Sequence, residues 1–179
     1  MYGDGKQEGA LGAALRSYNG LHPQCFQVAS KAHPKFSLAH DSLLAQAETS
    51  LAELGLDYID LFYLHSVDEE VPLEETLRAV DRLHREGKIL EFGLPNFSGW
   101  QTVQVYYMCK ELGFCVQTVY QGNYNPLARQ AEKSLFPALR MLGIRFYAYS
   151  PLAGGLLVSA SKLSDTATRA MVWCWAVHG

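Results

Sequence analysis

Four times in this chain a stretch with helical spacing of apolar residues ends at a glycine, and a short run of branched and aromatic residues follows. The glycines are Gly55, Gly87, Gly113 and Gly143, and the runs are 58–65, 89–94, 116–121 and 144–150. A glycine just past a helix supplies the left-handed backbone that ends it. A short, nearly continuous apolar run reads as a strand covered on both faces. A further run, 25–31, precedes these and ends in Lys31. Strands alternating with helices at a steady interval predict a parallel sheet with right-handed crossovers.

The helices between the runs carry their own signals. Leu11, Ala14 and Leu15 have helical spacing after the turn-rich entry Tyr2-Gly3-Asp4-Gly5. Ser37 is read as the N-cap of a helix reaching Leu54, with Leu43, Ala47, Leu51 and Leu54 on one face. Pro72 opens the next, Ser98 caps the one that runs to Leu112, and another spans 129–142. After Leu157 the chain turns small and polar, and then ends in a short apolar run at 171–177. The organisation expected is one α/β unit over 1–157 and a divergent tail over 158–179.

Two folds share this rhythm, an open doubly wound sheet and a (β/α)8 barrel. The open sheet usually announces itself with a glycine-rich turn after its first strand, which this sequence lacks. The barrel places its chemistry at the C-terminal ends of its strands. Here the runs end in Lys31, His65, Pro95-Asn96, Gln121-Gly122-Asn123 and Ser150. The expected fold is therefore an incomplete TIM-type (β/α)8 barrel, because the chain supplies about five or six strands of the eight. By itself His65 has two readings, a site residue or a core histidine satisfied by a backbone partner.

Composition narrows the functions. A net charge of -3 gives no general reason to expect nucleic acid or anionic lipid as a partner. Cys25, Cys109, Cys115 and Cys174 show no metal-ligand spacing, so no metal is expected. No apolar run has membrane length and no secretory h-region opens the chain, so no membrane partner is expected. The expected compartment is the cytoplasm.

Taken together and in order, these strand-end motifs resemble the aldo-keto reductase superfamily, in particular its aflatoxin-aldehyde and succinic semialdehyde reductase branch. The resemblance covers 1–157. It rests on Tyr2-Gly3-Asp4-Gly5, Ser30-Lys31-Ala32, Asp60-Leu61-Phe62-Tyr63-Leu64-His65, Glu86-Gly87-Lys88 with Gly93-Leu94-Pro95-Asn96, Val119-Tyr120-Gln121-Gly122, and Pro151-Leu152-Ala153-Gly154-Gly155-Leu156-Leu157.

The resemblance implies a (β/α)8 barrel that binds NADPH in extended form and reduces a small carbonyl substrate. Matched motif to motif, Tyr2 would be the general acid and Lys31 the cation that favours its phenolate. His65 would orient the carbonyl by hydrogen bonding. Asn96 and Gln121 would hold the nicotinamide carboxamide. Ser150, Pro151, Leu152, Ala153, Gly154, Gly155, Leu156 and Leu157 would form the loop over the pyrophosphate. The branch suggests a homodimer.

The chain also departs from the pattern. The family's catalytic aspartate precedes its tyrosine, Pro95 replaces a serine, and the segment after Leu157 does not continue as in the family. On this resemblance the chain is read as barrel strands two/three to seven, truncated at both ends. The alternatives are a non-catalytic truncated isoform or binding subunit, and a lyase or aldolase using Lys31 as a Schiff base.

Overall fold

In the computed structural model, residues 6–17 and 27–157 are described. Helix α1 (Gln7–Ser17) comes first, then β1 (Ala29–Ala32), α2 (His40–Leu54), β2 (Ile59–Leu64), α3 (Leu73–Arg85) and β3 (Ile89–Pro95). Helix α4 (Gly99–Leu112), β4 (Val119–Asn123), α5 (Leu135–Leu142) and β5 (Arg145–Tyr149) follow. The strands form one sheet in the order β1-β2-β3-β4-β5, and every pairing is parallel. Sequence order and spatial order coincide, as in a barrel and not in a doubly wound sheet. The expected fold class holds: this is a five-stranded arc of a (β/α)8 barrel.

One face of the sheet carries the apolar core. Ala32, Phe62, Leu64, Phe92, Leu94 and Tyr120 pack with Leu43, Leu51 and Leu54 of α2, Leu77, Val80 and Leu83 of α3, and Val105 of α4. The periodicity of α2 and α3 thus did mark their buried stripes, whereas in α1 the expected Leu11 and Ala14 are exposed and Gly12 is the buried residue. Tyr63 and Val119 are equally buried but lie outside that cluster, on the other face. There a Cβ built on Gly93 would lie 2.6 Å from the Tyr63 ring and 3.1 Å from the Val119 carbonyl oxygen, so glycine makes room for Tyr63.

Polar links on this second face show that the sheet is rolled. Lys31 Nζ on β1 donates to Gln121 Oε1 on β4 at 2.8 Å. Three inter-strand steps separate those strands, about 14 Å along a flat sheet. The two side chains meet because the arc bends them toward a common hollow. Arg145 of β5 pairs likewise with Glu91 of β3.

The glycine stops behave as the sequence implies. Gly55, Gly113 and Gly143 are helix C-caps with φ of 69°, 68° and 69°, and Gly87 follows the cap of α3 with φ of 71°. Ser98 caps α4 with a full capping box to Gln101. Helix α1 docks where Gly12 meets the end of α2: a Cβ there would lie 2.8 Å from the Leu54 carbonyl oxygen.

Several boundaries differ from expectation, beginning with β1, which is Ala29–Ala32 where the run 25–31 was expected. Ser37 does not cap α2. It closes a short 3-10 helix (Pro34–Phe36) at φ 64°, and α2 starts at His40. The helix expected over 129–142 is a 3-10 turn (Gln130–Glu132) followed by α5, because Pro137 fits only in a first turn. The strand expected from Val116 begins at Val119. Ahead of it the Cys115 N–H is held by the buried carboxylate of Asp81, and Gln117 Nε2 donates to the Thr102 carbonyl. Cys109 and Cys115 are free, and burial pushes both thiols up to about 12, so they act as inert hydrophobes. The tail over 158–179, with Cys174, lies outside the described residues, as does Cys25.

Candidate functional site

Strand alternation gathers side chains at the C-terminal ends of the strands, on the hollow side. Lys31 stands opposite Tyr63 in register, with its Nζ 5.2 Å from the centre of that ring. Its partners are a neutral amide and an aromatic face, and burial lowers its pKa. His65 follows β2 directly, its N–H donating to the Ala32 carbonyl at 2.9 Å. So the core-histidine reading captures the backbone of His65, while its ring lies at the strand-end rim against His33. The ring centroids are 4.4 Å apart.

Burial first, and then the charges of His33 and Lys31, lower the His65 pKa to about 4. At neutral pH its ring is uncharged, with one N–H and one lone pair. Tyr63 is pushed up to about 12, again chiefly by burial, and remains a phenol.

Asn96, one residue beyond β3, adopts φ 61°. Its N–H donates to the Gln121 carbonyl at 3.2 Å. Its side-chain Nδ2 reaches the His65 carbonyl at 3.4 Å, and its Oδ1 accepts from the Tyr149 hydroxyl at 2.8 Å. One asparagine therefore ties the ends of β2, β3, β4 and β5. The loop beyond β5 has left-handed backbone at Ser150, Ala153, Gly154 and Gly155, with φ of 54°, 48°, 66° and 94°. It is coiled by hydrogen bonds from Ala153 to Ser150, Gly155 to Leu152 and Leu157 to Leu152, and it leaves Leu152 and Leu157 exposed. The buried Asn125 fastens its start, donating from Nδ2 to the Ser150 carbonyl at 3.1 Å.

Of the residues expected at the site, Lys31 and Gln121 are in direct contact, and Asn96 touches the His65 backbone. Residues 150–157 lie at the end of the neighbouring strand. Tyr2 lies outside the described residues. Three members were not singled out as site residues from the sequence: His33, Tyr63 and Asn125. The first two had a usable signal, since His33 stands two residues after Lys31 and Tyr63 two before His65, the spacing that keeps side chains on one face of an extended chain. Asn125, past the end of β4, had none.

Two side-chain carboxamides, Asn96 and Gln121, stand at neighbouring strand ends beside an uncharged imidazole and a lysine. A loop with backbone in glycine-type conformations follows, in which a Cβ on Gly154 would meet nothing within 4 Å. Among the described residues no cluster of His, Cys, Asp or Glu could hold a metal ion, and no helix is long and apolar enough to cross a membrane.

A parallel βα arc with its polar side chains collected at the strand C-termini defines a (β/α)-barrel protein of the kind that binds small molecules at that rim. The family model for the aldo/keto reductase family matches residues 1–171, and the chain belongs to that family. It is 48% identical over 167 residues to human aflatoxin B1 aldehyde reductase member 2, covering 92% of this chain and 46% of that one. Human aflatoxin B1 aldehyde reductase member 4 is 47% identical over 92% of this chain and 50% of its own. Oxidoreductase sirO of Leptosphaeria maculans is 35% identical over 94% of this chain and 50% of its own. The chain spans about half the length of these curated relatives.

Proposed function

We propose that the rim built by Lys31, His65, Asn96 and Gln121 binds NADPH beside a small aldehyde or ketone, and that the reaction is carbonyl reduction to the alcohol. The observation that carries this reading is the Lys31–Gln121 bridge across the hollow, next to the Asn96 link between His65 and Tyr149. It brings a cation, two carboxamides and an uncharged imidazole to one rim.

When bound, the reduced nicotinamide supplies the hydride. The protein's part is to hold the reactants and move one proton. Asn96 and Gln121 present amide groups that can pair with a carboxamide, and residues 150–157 offer a backbone turn for the pyrophosphate. His65, uncharged at neutral pH, donates its N–H to the carbonyl oxygen and so favours the negative charge that develops there. In this reading Tyr2 gives the proton to that oxygen. The cation at Lys31 lowers the cost of the phenolate left behind.

One observation favours a second reading, a chain that binds cofactor without turnover. Lys31 is bonded to a neutral amide and its pKa is lowered by burial, so its charge is less secure than that of a carboxylate-paired lysine. Both readings take the unit as 1–157, cytoplasmic, with a homodimer as the expected assembly. Steady-state reduction of small aldehydes with NADPH and with NADH separates them. Turnover that is lost in Tyr2→Phe supports the reductase. Saturable cofactor binding with no turnover supports the second reading, and absence of binding to either nucleotide overturns both.

A further inference from the structure

The His33 ring is the neighbour of His65 that the family resemblance does not assign to the site. His33 directly follows β1, and its place is fixed twice. Its N–H donates to Gln46 Oε1 at 2.8 Å, and its ring Nδ1 accepts from the Lys35 N–H at 3.0 Å as the cap of the short 3-10 helix. An Nδ1 that accepts leaves the proton of the uncharged ring on Nε2, so one tautomer is selected. The backbone of His65 is held as firmly, through its N–H to Ala32 and through its carbonyl to Asn96. The two rings then meet with centroids 4.4 Å apart and planes at 45°.

We propose that His33 is a positioning residue: anchored by Gln46 and Lys35, its ring fixes the plane in which His65 presents its N–H to a bound carbonyl. The proposal rests on the reductase reading for what His65 does, but the ring pair itself is independent of that reading. Among the described residues, the charges that bear on the pair are Lys31 and Lys35 from the β1 segment, while β3 contributes the uncharged Asn96. The adjacent lysines disfavour charge on either imidazole. Protonating His33 at Nδ1 would also break its bond from Lys35. The arrangement therefore keeps both rings neutral, and a neutral His65 has one N–H whose direction matters.

The test uses the full chain and compares His33→Ala with His33→Phe, which keeps a ring against His65 but has no nitrogen. Two-dimensional nitrogen–proton spectra of the imidazoles report the titration of His65, and its ring-proton shifts report the ring packed against it. The proposal expects His65 ring-proton shifts that mark a neighbouring ring in the wild type and in His33→Phe, and averaged shifts in His33→Ala. It also expects the His65 titration midpoint to rise in His33→Ala. Aldehyde reduction should fall about ten-fold in kcat for His33→Ala with cofactor affinity unchanged, and His33→Phe should recover most of it. Wild-type ring-proton shifts and a wild-type midpoint for His65 in His33→Ala would overturn the proposal. If the spectra change as expected but no variant, wild type included, reduces an aldehyde, the positioning stands and the reductase reading fails.

Discussion

Lys31 Nζ on β1 and Gln121 Oε1 on β4 are 2.8 Å apart, although two strands lie between them. That contact brings a cation into the hollow of the arc without giving it a carboxylate. Burial acts against the charged form and lowers its pKa below the usual 10.5. A lysine whose folded pKa is depressed weakens folding most below that pKa, and stability recovers as pH rises toward 10.5. Lys31→Met removes the charge and keeps the stem. We expect its midpoint in urea to be equal to or above that of the wild type at pH 7, with carbonyl reduction lost. A lowered midpoint would mean that the ammonium supports the fold.

His65 gives a slope of the same sign, in acid. Its pKa is lowered to about 4 from 6.5 by burial, His33 and Lys31. Below 6.5 the unfolded chain takes up a proton that the folded chain refuses until about pH 4, so stability falls as pH drops through that window. Replacing His65 by Gln should flatten the stability profile there while leaving stability near pH 8 within about 1 kcal/mol. An unchanged slope between pH 6.5 and 4 would remove His65 as its source.

Gly93 lets β3 pass beneath Tyr63. A methyl group at this position would sit 2.6 Å from the Tyr63 ring. Gly93→Ala should therefore displace that ring and cost about 1–3 kcal/mol, the range for overpacking a filled site. Tyr63 lies under Lys31, so cofactor binding should weaken with it. Thermal unfolding and cofactor titration on the same sample check both parts.

Ser98 caps α4 by accepting from the Gln101 N–H, and the Gln101 side chain bonds back to it. Ser98→Ala should cost about 1 kcal/mol. Denaturant unfolding measures that loss. Its size matters to the rim because the cap Ser98 stands two residues after Asn96.

Much of the fold was legible because its signals are local. Gly55, Gly113 and Gly143 end their helices through their own backbone conformation, so the rhythm of strand and helix could be read directly. The start of α2 could not. The His40 N–H is capped by the Glu75 side chain of α3, and the Leu38 N–H by Asp68, partners far off in sequence. Ser37 looked like the cap because its residue type fits, but its side chain binds the Ala39 N–H in the approach to the helix. The site was legible where a strand ends in a polar residue, as at Lys31, Asn96 and Gln121. What brings them together is the roll of the sheet, and no single segment encodes that. His33 was passed over because it stands just past β1 and acts through another strand's residue.

On the proposed function, Gln121 and its neighbours hold a reduced nicotinamide cofactor at this rim. Trp100 is 68% exposed on α4, so the cofactor's own emission is a better probe than tryptophan quenching. Titrating the protein into NADPH and following that emission should give saturable binding on the order of micromolar. Gln121→Ala should weaken it at least about ten-fold, the loss of roughly 1.4 kcal/mol. No saturation, or equal affinity in wild type and Gln121→Ala, would contradict the claim.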